Sequence, residues 1–125
     1  MHLSLIERDL SILKKDERFV PSIPAQGFFC FLRTPGEVTV VGPRSAFDVD
    51  SLQAAHGWAA FQVQGPLDFS LTGVLADLSA PLATAKISLF ALSSYDTDMI
   101  LVRSRDVESA AQAWCEAGHT VTLGA

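Results

Sequence analysis

Two aspartates stand two positions apart in the stretch SLFALSSYDTDMILV, which runs from Ser88 to Val102. Asp96 and Asp98 lie in a short polar segment between two apolar runs. Carboxylates at this spacing can ligate a metal ion, exchange protons with a substrate, bind a cationic ligand or hold a turn through hydrogen bonds to the backbone. The function of the chain depends on which of these roles the surrounding residues support.

The surroundings of these aspartates argue against metal binding and catalysis. A metal site needs about four to six donor atoms, and His2, His56 and His119 are scattered singly along the chain. Cys30 and Cys115 form no CxxC pair and are expected to be free, buried thiols. Acid–base catalysis needs a carboxyl group whose pKa is raised in an apolar pocket, whereas a turn between strands is usually solvated. The sequence predicts no enzyme activity, no metal and no cofactor.

A second polar segment, GPLDFSLTG at residues 65–73, precedes a predicted helix. Asp68 or Ser70 is expected to cap this helix, and Pro81 is expected to kink its last turn or leave it poorly formed. The helix is predicted from apolar residues at i, i+3, i+4, i+7 and i+11, the spacing of one helical face: Leu71, Val74, Leu75, Leu78 and Leu82.

The start of this helix is a candidate ligand site, because its first amides have no acceptor within the helix and the helix dipole favours an anion. The carboxylate of an amino acid suits that position, and its ammonium group would pair with Asp68, Asp96 or Asp98. The same residues also have a structural interpretation, in which a Gly-Pro turn and an Asp68 cap start the helix and Gly73 allows close packing. The sequence leaves both interpretations open.

The hairpin that carries the two aspartates is expected to form the other wall of the same pocket. Asp96 and Thr97 are predicted to fix the turn through side-chain hydrogen bonds to its amides. Ser93, Ser94 and Tyr95 end the preceding strand beside the helix start. The candidate ligand-binding residues are therefore Gly65, Leu67, Asp68, Phe69, Ser70, Ser93, Ser94, Tyr95 and Asp98.

The overall composition narrows the class of protein. The 125 residues are 49% hydrophobic and 18% charged, with a net charge of −5 and no stripe of Lys and Arg, so binding to nucleic acid through phosphate contacts is not expected. Charges at residues 7–9 interrupt the N-terminal apolar stretch, so no signal peptide is expected there. No apolar run approaches the ~20 residues needed to span a bilayer. We expect a cytoplasmic protein that does not enter membranes.

The low share of charged residues also suggests a partner. Apolar surface that is not balanced by charge is most simply covered by a second copy of the chain, so a homodimer is expected.

The order of predicted elements indicates an α+β fold. Residues 3–14 resemble a strand with a bend or bulge at 7–9, and residues 29–41 form a predicted hairpin. From Trp58 the order is β-α-β-β-α-β, typical of a ferredoxin-like sheet with two helices on one face. Both faces of the predicted strand at 87–92 are apolar, so the face without helices needs a second sheet or a partner chain.

Three segments together resemble the small bacterial ACT-domain family, whose chains hold two tandem ACT-like modules. These segments are GWAAFQVQG, GPLDFSLTG and SSYDTDMILV. Ser94 and Met99 stand where the family pattern has a threonine and an aromatic residue. The same module occurs in aspartate kinases and in animal arginine sensors. The resemblance implies a ferredoxin-like ACT domain at residues 58–125 and a degenerate, β-rich ACT-like module at residues 1–57.

The resemblance also implies a function. ACT modules are non-catalytic regulatory units that bind a small molecule, usually an amino acid, at an interface between two ACT units. The resemblance names neither the ligand nor a downstream partner. The alternative is an assembly module that uses the same surfaces to bind protein and has lost the ligand site.

Overall fold

The computed structural model describes residues 1–47, 54–68 and 71–124. Within these ranges the chain forms seven β-strands and two α-helices, and neither helix is long and apolar enough to cross a membrane. The elements are β1 (His2–Lys15), β2 (Cys30–Thr34), β3 (Glu37–Pro43), β4 (Ala54–Val63), α1 (Val74–Thr84), β5 (Leu89–Ser93), β6 (Asp98–Arg103), α2 (Val107–Glu116) and β7 (Thr120–Thr122).

The chain is organised as two compact units. The C-terminal unit combines Met1–Glu7 with Ala59–Ala125, and the N-terminal unit is formed by Arg8–Trp58. Strands β1 and β4 therefore contribute residues to both units. The assignment of residues 1–57 and 58–125 to two ACT-like modules stays a prediction. The compact units differ from it in that Met1–Glu7 belongs with the residues of the second half.

The sheet of the C-terminal unit has the strand order β7–β1–β4–β6–β5. Strands β5 and β6 are antiparallel, with Leu89 opposite Val102, whereas β1 and β7 are parallel, with His2 opposite Thr120. Elements β4 to β7 follow the predicted β-α-β-β-α-β order, so the ferredoxin-like α+β fold is confirmed. The sequence did not predict that β1 would lie between β4 and β7.

Helix α1 begins later than predicted. Gly73, with φ +78°, occupies the N-cap position, and no side chain caps the helix. The capping role predicted for Asp68 is therefore wrong, because the helix starts well beyond it, and Ser70 lies outside the described residues. Leu71, predicted on the buried helical face, precedes the helix and is 51% exposed.

The end of α1 also differs from the prediction. The helix continues past Pro81 to Thr84, and the Ala85 N–H donates to the Pro81 carbonyl at 3.1 Å. The expected poorly formed last turn is therefore wrong. Leu78 and Leu82 are fully buried, as the helical spacing predicted.

The core of the C-terminal unit is centred on Trp114 of α2. Its ring packs edge-on against Phe61, with centroids 4.9 Å apart and an interplanar angle of 81°. Its indole Nε1–H donates to the Leu78 carbonyl at 2.8 Å, so the polar atom of a fully buried ring has a partner. This contact joins α2 to α1, and the ring contact joins α2 to β4.

The sheet face opposite the helices was predicted to need a second sheet or a partner chain to cover it. The structure shows that this face is partly buried within the chain itself. Met99 and Leu101 of β6 are 8% and 0% exposed. Their cross-strand neighbours, Leu92 and Phe90 of β5, are half-buried. A partner chain is therefore not needed to bury the β6 part of this face.

The N-terminal unit contains the predicted hairpin, with β2 and β3 antiparallel around a turn at Pro35 and Gly36. Its strand order is β2–β3–β1–β4. The predicted irregularity at residues 7–9 is confirmed, because Asp9 adopts a left-handed φ of +59° within the otherwise continuous strand β1.

The two cysteines differ in environment. Cys30 of β2 is half-buried, and burial raises the pKa of its thiol. Cys115, on α2, is exposed, so the prediction of a buried thiol is wrong for this residue. Both cysteines are free.

The Trp114 hydrogen bond generates a stability prediction. Trp114→Phe removes the donor to Leu78 and reduces the buried volume, so we expect a loss of about 1–3 kcal/mol in the free energy of unfolding. Urea denaturation monitored by circular dichroism measures this loss. Val20→Ala, at a position that is 77% exposed, serves as the control and should change stability by less than about 0.5 kcal/mol. Equal midpoints for the Trp114 variant and the wild type would contradict the assigned role.

Candidate ligand site

A cavity of about 180 Å³ lies between the segment that precedes α1 and the hairpin turn between β5 and β6. All of its walls come from the C-terminal unit. The residues that line it are Leu67, Asp68, Leu71, Val74, Ser93, Ser94, Tyr95, Asp96, Thr97 and Asp98.

Serine side chains shape the hairpin wall of this pocket. The Ser93 hydroxyl donates to the Asp98 carboxylate at 2.6 Å, which fixes one oxygen of that carboxylate at the edge of the pocket. The Ser94 hydroxyl accepts from the Thr97 N–H at 3.3 Å and donates to the Thr97 carbonyl at 3.2 Å. Ser94 therefore supplies the side-chain hydrogen bonds of the turn that were predicted for Asp96 and Thr97.

The Thr97 side chain has a different role. Its hydroxyl donates to the Val63 carbonyl at the end of β4, and the side chain is buried. The neighbouring Asp96 carbonyl accepts from the Leu67 N–H at 2.6 Å. These two hydrogen bonds tie the hairpin turn to the chain that leaves β4, which brings both walls of the pocket together.

Gly65 supports the pocket from behind instead of lining it. A Cβ at this position would lie 2.9 Å from the Asp96 carbonyl oxygen and 3.2 Å from the Thr97 Cβ. Gly65 instead faces a second cleft of about 540 Å³, beside His2 and Gln62. We conclude that it allows the close approach of the hairpin turn to the segment after β4.

The structure therefore brings most of the predicted ligand residues to one pocket. Gly65 lies outside its lining, and Phe69 and Ser70 lie outside the described residues. Leu71 and Val74 line the pocket although their spacing had assigned them to the helix core. The residues that the prediction and the pocket share are Leu67, Asp68, Ser93, Ser94, Tyr95 and Asp98. Their role in binding stays a prediction.

The pocket is negatively charged. Asp68, Asp96 and Asp98 line it, and no lysine, arginine or histidine does so among the residues that the structure describes. The charge of the whole C-terminal unit has the same sign, with three Lys and Arg against eight Asp and Glu in the sequence of its segments. The N-terminal unit has six of each, so the net charge of −5 belongs to the unit that holds the pocket. A field of this sign favours a cationic ligand.

The start of α1 supplies backbone N–H donors, whose partial positive charge is opposite in sign to the charge of the carboxylates. The Asp77 N–H donates to the Gly73 carbonyl at 2.8 Å, which makes it the first intrahelical bond. The amides before it have no acceptor within the helix, and the N-cap glycine offers none from a side chain. Val74, the first helical residue, lines the pocket. The pocket therefore adjoins both carboxylates and helix-start amides.

No cluster suited to a metal ion occurs in residues 1–47, 54–68 and 71–124. No group of three or more His, Cys, Asp and Glu side chains there is placed to hold one.

The chain is similar in sequence to a known protein family. The model of the ACT domain matches residues 53–116. The human protein CASTOR3P is 35% identical over 92 residues, which cover 64% of this chain and 56% of that protein. The bovine cytosolic arginine sensor for mTORC1 subunit 1 is 30% identical over 99 residues, which cover 71% of this chain and 30% of that protein. The chain thus spans about half the length of the first relative and a third of the second.

Solved structures show the same fold. The crystal structure of protein Atu0741 from Agrobacterium tumefaciens superposes with a TM-score of 0.87 at 31% identity and covers 99% of this chain and 93% of that one. Aspartate kinase from Clostridium acetobutylicum, described as an allosteric enzyme, gives a TM-score of 0.68 at 12% identity and covers 89% of this chain and 33% of the kinase. The second likeness is one of fold alone.

The close approach at Gly65 can be tested by mutation. Gly65→Ala places a Cβ 2.9 Å from the Asp96 carbonyl oxygen, so we expect a loss of about 1–3 kcal/mol in the free energy of unfolding. Urea denaturation measures the loss. Gly124→Ala is a matched control, because a Cβ there would meet nothing within 4 Å. If the two variants unfolded at the same midpoint, Gly65 would not be a close-contact position.

Proposed function

Since the chain belongs to the ACT-domain family, we propose that it is a non-catalytic regulatory protein that binds an amino acid in the pocket between α1 and the β5–β6 hairpin. The bovine arginine sensor, a relative at 30% identity, supports a regulatory role by its name alone. The proposal extends that role to this chain through the pocket itself. A cytoplasmic location is part of the proposal.

The size of the pocket suits a small metabolite. Its volume of about 180 Å³ lies below the ~300 Å³ at which pockets for drug-sized ligands begin. The wall is mixed, with apolar contacts from Leu67, Leu71 and Val74 and polar groups from the hairpin. An amino acid combines a short apolar stem with two charged groups, and both kinds of surface have counterparts in this wall.

The carboxylate lining is the observation that carries the proposal, and it favours an amino acid with a cationic side chain. A neutral amino acid has one cationic group, whereas the pocket presents the carboxylates of Asp68, Asp96 and Asp98. Arginine or lysine supplies a second positive charge for this wall. The α-carboxylate of the ligand would accept from the amides at the start of α1.

The ligand is proposed to lie between two ACT units. Tyr95, which lines the pocket, is 79% exposed, and Ser93, Ser94 and Asp96 beside it are exposed as well. A second ACT unit covering this side would complete the ligand's surroundings. Because the ligand would then contact both units, its binding would stabilise one arrangement of the assembly and alter the affinity of a downstream partner.

Thermal unfolding tests the choice of ligand. We expect arginine or lysine at millimolar concentration to raise the midpoint of the wild-type protein by several degrees, because a ligand at 100 times its Kd adds about 2.7 kcal/mol to stability. Glutamate and leucine should give smaller shifts, since neither matches the second positive charge. A larger shift with glutamate than with arginine would contradict the proposed charge preference. A flat response to all twenty amino acids would favour the assembly module instead.

Substitution of Asp98 tests the site itself. Asp98→Asn keeps the side-chain shape and an oxygen that can accept from Ser93 but removes the charge. We expect ligand affinity, measured by isothermal titration calorimetry, to fall at least about tenfold, or roughly 1.4 kcal/mol. Glu108→Gln is the matched control, because it removes an exposed carboxylate from the same unit outside the pocket. Equal losses in both variants would mean that net charge alone, and not this pocket, determines binding.

A further inference from the structure

The segment between β1 and β2 carries a group of exposed apolar side chains. Three of the ten large hydrophobic residues that are exposed in the described ranges lie there. Val20 and Ile23 are 77% and 65% exposed, and Phe19 is 38% exposed. Exposed apolar residues that occur singly are normal, whereas a group of them marks a binding surface. We call residues 18–24, with the sequence RFVPSIP, the proline segment.

Proline restricts the backbone of this segment to extended conformations. The rings of Pro21 and Pro24 fix φ at about −65°. Val20 and Ile23 each precede a proline, and the helical region is disfavoured for a residue in that position. The structure has no helix, strand or turn at residues 20–24, and none of these residues forms a hydrogen bond to another described residue. This is typical of a polyproline II helix, which has no internal hydrogen bonds.

In this conformation the segment has edges of different chemistry. A polyproline II helix repeats about every three residues. Val20 and Ile23 are three positions apart and therefore share one edge. Pro21 and Pro24 share the next edge, and Arg18 stands three positions before Pro21 at the end of that edge. The segment therefore presents two pairs of an aliphatic residue and a proline and, at one end, an exposed cation.

The beginning of the proline segment is fixed to the N-terminal unit. The Phe19 N–H donates to the Asp16 carbonyl at 2.9 Å, and the Lys15 ammonium lies 5.3 Å from the centroid of the Phe19 ring. The Glu17 carboxylate accepts from the Gly36 N–H, in the β2–β3 turn, at 3.1 Å. These contacts hold the first residues of the segment in one arrangement.

The chain after the segment is fixed as well. The ring of Phe29 packs onto β3, where a Cβ at Gly42 would lie 2.9 Å from it. The centroids of the Phe29 and Phe47 rings are 6.4 Å apart. Pro21 and Pro24 are half-buried, so the segment lies along the unit and does not project as a free loop. Because its backbone is already ordered, binding of a partner costs less conformational entropy.

From these features we infer that the proline segment binds a partner protein whose groove is lined by aromatic side chains and has carboxylates at one end. Aromatic-lined grooves recognise polyproline II segments because the preformed helix docks there without further ordering. The aliphatic and proline side chains of residues 20–24 would pack against the rings. The carboxylates would accept bidentate hydrogen bonds from the Arg18 guanidinium.

The regular spacing of the segment favours such a groove over a lipid surface or a second copy of the chain. A lipid surface needs exposed apolar and basic residues but no fixed spacing between them. A second copy would have to supply the aromatic groove itself. Outside the segment, the described ranges expose two large aromatic rings, Phe31 and Tyr95, and each compact unit has one of them. Neither unit therefore presents an aromatic-lined groove among its described residues.

This inference goes beyond the proposed ligand function and does not rest on it. The proline segment belongs to the unit Arg8–Trp58, whereas every residue that lines the ligand pocket belongs to the other unit. Loss of partner binding and loss of ligand binding can therefore be observed separately.

Titration with purified SH3 domains tests the inference, because their grooves are lined by aromatic side chains and bind Pro-rich segments. The probes are a panel of domains that select a basic residue three positions before the first proline. We expect saturable binding of the full chain to members of this panel, measured by isothermal titration calorimetry. Arg18→Glu and Pro21→Ala should each weaken that binding at least about tenfold, since one reverses the charge and the other frees φ.

Arg8→Glu is the matched control for Arg18→Glu. It reverses the charge of an exposed arginine in the same unit, on β1 and outside the segment, so it should bind like the wild type. Circular dichroism shows whether each variant is folded. Absence of binding across the panel, or an equal loss in both arginine variants, would overturn the inference.

Nuclear magnetic resonance of the ¹⁵N-labelled full chain locates the bound surface. When an SH3 domain of the panel is added, the amide signals of Arg18, Val20, Ser22 and Ile23 should shift most. The amide signals of the residues that line the ligand pocket should stay unchanged. The largest shifts at residues outside the β1–β2 connection would contradict the assignment of the segment.

Ile23→Asp separates the other two occupants from an aromatic groove. We expect this variant to sediment in the same oligomeric state as the wild type, and the wild type not to co-sediment with vesicles of phosphatidylserine and phosphatidylcholine. Loss of a dimer in Ile23→Asp would make the segment a contact between copies. Vesicle binding that the variant abolishes would assign the segment to a lipid surface. Either result would overturn the inference.

Discussion

The contact between the β5–β6 turn and the chain that leaves β4 is the constraint on which the candidate site depends. The buried Thr97 hydroxyl donates a hydrogen bond to the Val63 carbonyl, and the Asp96 carbonyl accepts one from the Leu67 N–H. The second bond joins two backbone groups, and the first joins a buried side chain to a backbone carbonyl, so main-chain atoms take part in both links between the walls. Gly65 permits these links because any Cβ would meet the Asp96 oxygen. The pocket therefore exists because two neighbouring strand ends are joined where a side chain would separate them.

Because α1 starts only at Val74, the pocket beside this junction contains both carboxylates and the unpaired amides of a helix start. A serine or aspartate at the N-cap would use its own oxygen to satisfy the first amides of the helix. Gly73 stabilises the helix start nearly as well as these residues do, and it leaves those amides to another acceptor. Leu67, Asp68 and Leu71 consequently form a wall of the pocket instead of an extra turn of helix. Carboxylates and amide donors meet there because the helix does not extend to Asp68.

The parts of the fold that could be predicted from the sequence are those with a local signal. The β2–β3 hairpin has a Pro-Gly turn between two strands, so its predicted range of residues 29–41 lies close to its true bounds. The insertion of β1 between β4 and β7 could not be predicted, because pairing of His2 with Thr120 joins opposite ends of the chain and has no local pattern. The apolar periodicity that includes Leu71 begins before Val74, the true first residue of α1, so it predicted a helix that starts too early.

In the candidate site, too, local features could be predicted from the sequence, whereas contacts between distant parts of the chain could not. Ser93 and Asp98 were each predicted to line the pocket, and the structure places them opposite each other in the hairpin. Which side chain would hold the turn could not be predicted, because Ser94, Asp96 and Thr97 are all able to bond with turn amides. The Thr97 hydroxyl donates to the Val63 carbonyl of β4 and not to an acceptor in the turn. This partner is close to Thr97 only in the tertiary fold. Residue type and spacing thus identify the members of the site, and long-range packing decides what each one does.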